Sequence, residues 1–129
     1  VGMAASAVGA NPAVRAFLLE MQRDMAKTQN ILMDGRDIGT VVLPQADLKI
    51  FLTASVEKRA IRRHKELVEK GMECDLAEIE RDIIDRDYRD MNRENSPLRQ
   101  AEDAVLVDTS QDSFARSVER LVGLVRERL

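Results

Sequence analysis

The sequence predicts an α/β protein built on a parallel sheet with helices on both faces. Three short runs are apolar throughout, which is typical of strands buried on both faces; they occupy 31–33, 48–53 and 104–107. Segments with apolar residues at helical spacing alternate with these runs. A sheet of this kind binds ligands at the carboxyl ends of its strands, and charged residues follow two of the runs directly, at 34–37 and at 108.

Capping and turn residues delimit four predicted helices. Asn11 and Pro12 form a typical N-cap and first-turn pair, which begins an amphipathic helix over about 12–27. A basic helix over about 56–70 ends before Gly71, the glycine expected just past a helix end. A third helix begins after Asp75 and is limited by Pro97, and its second half is almost entirely polar. The last helix carries an apolar stripe at 114, 118, 121, 125 and 129.

Composition excludes several classes of function. The 129 residues carry a formal net charge of -3 and only four aromatic side chains, three Phe and one Tyr, with no Trp. Binding of single-stranded nucleic acid by base stacking is therefore not expected. The single cysteine, Cys74, excludes an intramolecular disulfide and a thiolate metal cluster, and the single histidine, His64, argues against a zinc site or a Ser-His-Asp triad.

The start of the chain predicts a cytoplasmic protein that lacks its natural N-terminus. Residues 1–10 are small and apolar, but they are too few to cross a membrane and have no basic segment of a signal peptide before them. The chain also begins without Met, which we interpret as a missing N-terminal portion. One domain is expected over 1–129.

The first candidate site is the segment Asp34-Gly-Arg-Asp-Ile-Gly-Thr40, which follows a predicted strand. Glycine lets the backbone approach a ligand closely. Arg36 could grip a phosphate, and Asp37 could accept hydrogen bonds from an exocyclic amine. The alternative is a turn in which aspartate and arginine pair with each other.

The second and third candidates are arginines on helices. Arg86, Asp90 and Arg93 share one face of the third helix, although a solvated face with internal ion pairs is the alternative. Adjacent arginines Arg62 and Arg63 point in divergent directions, so that only one of them can face a given ligand. Here too a solvated face is the alternative, balanced by glutamates of the same helix. Arginine outnumbers lysine fifteen to five, which suits phosphate recognition and also suits a GC-rich genome.

Four segments resemble the bacterial cytidylate kinases, in the order of that family and over essentially the whole chain. They are Ala4-Ala-Ser6 with Asn11-Pro-Ala-Val-Arg15, Asp34-Gly-Arg-Asp-Ile-Gly-Thr-Val-Val-Leu-Pro44, Lys49-Ile-Phe-Leu-Thr-Ala-Ser55 with the arginine pair that follows, and Arg86-Asp-Tyr-Arg-Asp-Met-Asn-Arg93 with Ser96-Pro-Leu98. The resemblance implies a nucleoside monophosphate kinase with a doubly wound parallel sheet. It also implies one partial kinase core domain over 1–129, with a lid-like helical segment at about 56–94.

The family transfers the γ-phosphoryl group of ATP to CMP or dCMP, with Mg²⁺, in cytoplasmic pyrimidine nucleotide metabolism. By position, the resemblance assigns cytosine recognition to Ser6, Arg15 and Asp37. It assigns the CMP phosphate to Arg36 and Arg93, and the sugar hydroxyls to Asp90. The lid-side arginines that act on ATP and on the transferring phosphoryl group correspond to Arg62, Arg63 and Arg86. No polymeric nucleic acid, membrane or dedicated metal ligand is implied.

One departure from the family is large. Its members begin with a strand and a glycine-rich loop that cradles the ATP phosphates, and no G-x-x-x-x-G-K segment occurs in this sequence. The chain alone is therefore expected to be inactive, and its strands at 31–33 and 48–53 would lose a shared neighbour. The full enzyme is expected to be a monomer, whereas this portion could self-associate. The alternative is a non-catalytic nucleotide-binding or interaction module, for instance a strand-swapped dimer.

Overall fold

The structure, a computed structural model, describes residues 2–94 and 96–128, apart from the side chains of residues 2, 3 and 6. Its elements in chain order are α1 (Gly2–Gly9), α2 (Pro12–Thr28), a π-helical turn (Ile38–Val42), β1 (Ile50–Thr53), α3 (Val56–Glu69), α4 (Leu76–Asn92), β2 (Val105–Asp108) and α5 (Phe114–Arg128). They divide into two compact units. The first unit comprises Val1–Ala46 and Tyr88–Glu102, and the second comprises Asp47–Asp87 and Asp103–Leu129.

Helix α2 dominates the first unit and begins as its sequence predicts. The side-chain oxygen of Asn11 accepts hydrogen bonds from the backbone N–H of Ala13 at 3.0 Å and of Val14 at 3.3 Å. Pro12 occupies the first helical position, where a missing N–H costs nothing. The cap satisfies two of the donors that a helix N-terminus leaves free, and the predicted range of about 12–27 is confirmed as Pro12–Thr28.

The predicted strand at 31–33 is wrong. These residues adopt no regular structure, and Leu32 is 89% exposed. A strand exists through ladder hydrogen bonds to a neighbour, and the sheet of the described residues contains only β1 and β2. The run at 31–33 is apolar, but the described residues provide no strand beside it.

The second unit contains a parallel pair of strands, as predicted. β1 and β2 pair from Ile50 opposite Val105 to Thr53 opposite Asp108, so both strands end at the same edge. The strand predictions at 48–53 and 104–107 are confirmed, with bounds shifted by one or two residues. Leu52 and Leu106, one in each strand, are 56% and 55% exposed.

Local signals fix the two helices that follow β1. The hydroxyl of Ser55 accepts the N–H of Lys58 at 3.2 Å and caps α3. Gly71 follows α3 with a φ of 76°, the left-handed conformation in which glycine commonly ends helices. A carboxylate oxygen of Asp75 accepts the N–H of Ala77 at 3.0 Å at the start of α4. The apolar position Leu129 of the predicted last helix lies outside the described residues.

Buried apolar residues are few, and most are small. Within the described part of the chain they are Val42 in the first unit and Ala54, Ala60, Ile79 and Val107 in the second. Polar residues are buried as well, namely Asp37 and Asp90 in the first unit and Lys49 and Thr109 in the second. Buried charges persist only when they are paired, and Asp37, Asp90 and Lys49 each form an ion pair. None of the described helices is both long and apolar enough to pass through a membrane.

Candidate functional site

A largely buried ion pair lies in the first unit. An Nη2 group of Arg15, on α2, donates a hydrogen bond to a carboxylate oxygen of Asp37, which precedes the π-helical turn. Asp37 is only 6% exposed. The second guanidinium nitrogen of Arg15 donates to the Gly9 carbonyl at 2.9 Å. Burial, and then the nearby positive charge of Arg93, lower the pKa of Arg15 below its ordinary value.

The backbone around Asp37 is tightly wound. The N–H groups of Val41 and Val42 both donate to the Asp37 carbonyl, at 2.9 and 3.2 Å. A Cβ at Gly35 would come within 2.9 Å of the Ile38 side chain, so this position favours glycine. Single π-helical turns of this kind occur frequently at functional sites. The turn thus places the Asp37 carboxylate in one defined position.

A second ionic cluster surrounds Asp90, near the end of α4. This carboxylate is 1% exposed and accepts a hydrogen bond from Arg36 Nε. A nitrogen of Arg93 lies 3.9 Å from its other oxygen. Arg93 also donates to the Ser96 carbonyl at 2.8 Å, and Ser96 has a φ of 50°. Two cations therefore share one buried anion, an excess of positive charge that suits an anionic ligand.

A cleft of about 280 Å³ lies in the first unit. It is lined by Arg15 and Asp37 together with Ser96, Gln22, Val41 and residues of α2 and its N-terminus. Ligand pockets are mainly apolar with a few convergent polar groups. Sequence reasoning did not select Gln22 or Ser96, because their proximity to Asp37 depends on tertiary structure.

Arginines of the second unit contact protein groups. Arg62 donates to the Thr109 hydroxyl at 3.2 Å and also to the Thr109 carbonyl. Arg63 lies 3.1 Å from a carboxylate oxygen of Glu66, and both side chains are half exposed. Arg86, on α4, is half-buried. The predicted divergence of Arg62 and Arg63 is confirmed by their different partners.

Sequence reasoning missed Arg59, on α3, which pairs with a carboxylate of another helix. Its guanidinium meets both oxygens of Asp87 on α4, at 3.0 and 2.6 Å, and its Nε donates to the Ala54 carbonyl at 3.0 Å. One side chain thus connects α3, α4 and the end of β1. The two partners are 28 positions apart, so no local pattern could have indicated the pair.

The described chain brings together some predicted residues and not others. Arg15 meets Asp37, and Arg36 and Arg93 meet Asp90, all within the first unit, whereas Arg62, Arg63 and Arg86 belong to the second. The remaining predicted site residue, Ser6, lies in α1, and its side chain is outside the described part of the structure. The alternative of an internal pair between Arg36 and Asp37 is wrong, because both bind partners elsewhere. The alternative of a solvated helix face is wrong for Asp90, which is buried. It fits Arg63 and Glu66, which are half exposed.

Parallel strands joined through helices define a mixed α/β chain that is consistent with part of a nucleoside monophosphate kinase-like fold. Sequence comparison gives the family. The sequence model of the family described as cytidylate kinase matches residues 1–127. This chain belongs to the cytidylate kinase family.

Individual relatives agree with that assignment. A cytidylate kinase of Chromobacterium violaceum is 52% identical over 128 residues, which cover 99% of this chain and 58% of the relative. A cytidylate kinase of Streptococcus pneumoniae is 52% identical over 124 residues, which cover 96% of this chain and 56% of the relative. The chain therefore spans somewhat more than half the length of these relatives, and the matched portion is their C-terminal part.

Proposed function

We propose that the first unit carries the CMP-recognition site of a cytidylate kinase. The observation that carries this proposal is the buried carboxylate of Asp37, held against Arg15 beside the cleft. In this assignment Ser6, Arg15 and Asp37 recognise cytosine. Arg36 and Arg93 hold the phosphate of CMP or dCMP, and Asp90 binds the sugar hydroxyls.

The carboxylate of Asp37 gives a chemical basis for base selection. An ionised carboxylate only accepts hydrogen bonds, and the exocyclic amine of cytosine donates them. Uracil has a carbonyl at that position, so it would place an acceptor against an acceptor. A site built around a hydrogen bond rejects an analogue that lacks the donor, since the buried polar group is left unpaired. The contact with Arg15 fixes the carboxylate in place.

Charge supports the phosphate assignment. Three arginines of the first unit, Arg15, Arg36 and Arg93, engage two carboxylates, Asp37 and Asp90. The cluster therefore carries one net positive charge before any ligand enters. Guanidinium groups match phosphate oxygens in pairs, and Arg36 keeps 39% of its side chain exposed, so it can reach a ligand.

For the whole protein we propose phosphorylation of CMP or dCMP by ATP, in the cytoplasm, as part of pyrimidine nucleotide metabolism. Arginines stabilise the charge of a transferring phosphoryl group, and this role falls to Arg62, Arg63 and Arg86. The sequence contains no G-x-x-x-x-G-K segment to cradle the triphosphate of ATP. We expect the chain alone not to form CDP.

Calorimetric titration of the 129-residue chain with CMP and with UMP tests the proposal. We expect CMP to bind more tightly than UMP, and we expect Asp37→Asn, which keeps the shape but not the charge, to remove most of the difference. Asp24→Asn is the matched control, because Asp24 is 61% exposed on the same unit. Equal binding of the two nucleotides, or the absence of binding, would overturn the proposal.

A non-catalytic interaction module is the second candidate. The observation in its favour is the sheet of the second unit, which has two strands and leaves Leu52 and Leu106 largely exposed. Unpaired strand edges are templates for pairing with another chain. A module of this kind would bind neither CMP nor UMP, so the same titration separates the two candidates.

A further inference from the structure

Arg23, on α2, makes two hydrogen bonds to the π-helical turn. Its Nε donates to the Val42 carbonyl at 2.9 Å, and its Nη2 donates to the Val41 carbonyl at 2.6 Å. Both acceptors are backbone groups in the last two residues of the turn. The planar guanidinium donates to two consecutive carbonyls at once. A lysine ammonium is a compact point charge and lacks this fixed pair of donors.

The same two residues also hold the backbone of Asp37. The N–H groups of Val41 and Val42 donate to the Asp37 carbonyl at 2.9 and 3.2 Å, and the Leu43 N–H donates to the Ile38 carbonyl at 2.7 Å. The last carbonyls of a helical turn have no partner within the turn, and a cation there is favourable. Arg23 supplies both the donors and the charge.

Helix α2 therefore holds Asp37 in two ways, through its side-chain carboxylate and through its backbone. Arg15 holds its carboxylate, and Arg23 holds the turn to which its carbonyl belongs. The two arginines are eight residues apart on α2, a spacing of about 12 Å along a helix at about 1.5 Å per residue. The burial of Val42, which is 2% exposed, keeps the turn in place from its far end.

We propose that Arg23 is a positioning residue for cytosine recognition: it holds the π-helical turn so that the Asp37 carboxylate stays at the cleft. This inference rests on the proposed function of the first unit. Arg23 does not line the cleft itself, so it acts on a ligand through the turn, which presents Asp37 and Val41 to the cleft. Small displacements of a recognising group are costly, because hydrogen bonds weaken steeply away from their preferred geometry.

The test compares Arg23→Gln and Arg23→Lys with Lys27→Gln in the 129-residue chain. Lys27 is the matched control, since it lies one turn further along α2, is 72% exposed and pairs with Asp24, which is also exposed. Two quantities are measured by NMR and calorimetry: the hydrogen-exchange rates of the Val41 and Val42 amides, and the ratio of CMP to UMP affinity.

We expect Arg23→Gln to raise both exchange rates and to lower the affinity ratio, each by about tenfold, as for loss of one charge-assisted hydrogen bond. Arg23→Lys should lie between this variant and wild type, and Lys27→Gln should match wild type. If Arg23→Gln does not fold, Arg23→Lys decides the question. Wild-type exchange rates and an unchanged affinity ratio in the folded Arg23 variants would overturn the role of Arg23 but not the proposed function. A wild-type chain without preference for CMP would overturn the proposed function and, with it, this inference.

Discussion

The guanidinium of Arg15 contacts the carboxylate of Asp37 although the two residues are 22 positions apart in the chain. Arg15 comes from the first turn of a capped helix, and Asp37 immediately precedes a π-helical turn. Burial of an unpaired charge is costly, and this contact offsets that cost for both groups. Their contact joins two local structures at the side of the cleft.

Removal of the Asp90 charge should destabilise the first unit. Asp90→Asn leaves Arg36 and Arg93 facing a neutral amide in a position that is 1% exposed. Breaking a buried pair by removing one partner costs about 3–5 kcal/mol, and the partial exposure of Arg36 reduces our expectation to about 2 kcal/mol. Urea denaturation, with Asp24→Asn as the exposed control, measures the difference. A variant as stable as wild type would show that Asp90 does not need its charge for folding.

The paired contact between Arg59 and Asp87 should be sensitive to geometry as well as charge. Arg59→Lys keeps the charge but removes the planar pair of donors, and we expect a loss of about 1 kcal/mol in the free energy of unfolding. Arg116→Lys is the control, because its partner Glu119 is exposed and lies at 3.3 Å. A double-mutant cycle with Asp87→Asn isolates the coupling. Coupling near zero would contradict the assignment of this pair as a link between α3 and α4.

Two glycines should respond in opposite directions to the same substitution. Gly71 has a φ of 76°, and Gly123 lies within α5; an added Cβ would meet no atom within 4 Å at either position. Gly71→Ala should therefore destabilise by about 1 kcal/mol through backbone strain alone. Gly123→Ala should stabilise by up to about 1 kcal/mol, because alanine is the better helix former. Thermal unfolding measures both, and equal signs for the two changes would count against this account.

The contact between Lys49 and Asp103 predicts a pH dependence of stability. A hydrogen bond from the buried Lys49 ammonium, at 2.8 Å, lowers the pKa of Asp103 below its ordinary value of 3.8. A depressed pKa contributes stability above the ordinary value, and this contribution disappears as the pH falls through the folded-state pKa. Asp103→Asn should therefore lower Tm relative to wild type at pH 7, and the difference should shrink below about pH 4. A difference that is constant with pH would exclude this contact as its source.

Local signals were sufficient for most of the secondary structure. The cap at Asn11, the glycine at 71 and the cap at Asp75 predicted helix ends to within one or two residues, since each acts within a single turn. The apolar run at 31–33 shows the limit of such signals. Hydrophobicity predicts burial, but a strand also needs a neighbour, and the described sheet provides none there.

The candidate site could be predicted only in part. The resemblance selected Arg15, Arg36, Asp37, Asp90 and Arg93, but their pairing could not be read from spacing. Arg36 binds Asp90 at a distance of 54 positions, and not its neighbour Asp37. The π-helical turn and the contacts of Arg23 with its carbonyls were also missed, because they join backbone groups 18 and 19 positions away. Such contacts depend on tertiary structure, and residue spacing in the sequence does not indicate them.

The central claim, a cytosine-selective site within the first unit, is tested most directly by mapping amide chemical shifts during titration of the ¹⁵N-labelled chain with CMP. The account predicts saturable shifts confined to residues around Arg15, the turn from Asp37 to Val42 and the segment from Arg93 to Leu98, with much smaller shifts under UMP. Shifts that cluster in the second unit instead, or that are the same for the two nucleotides, would contradict it.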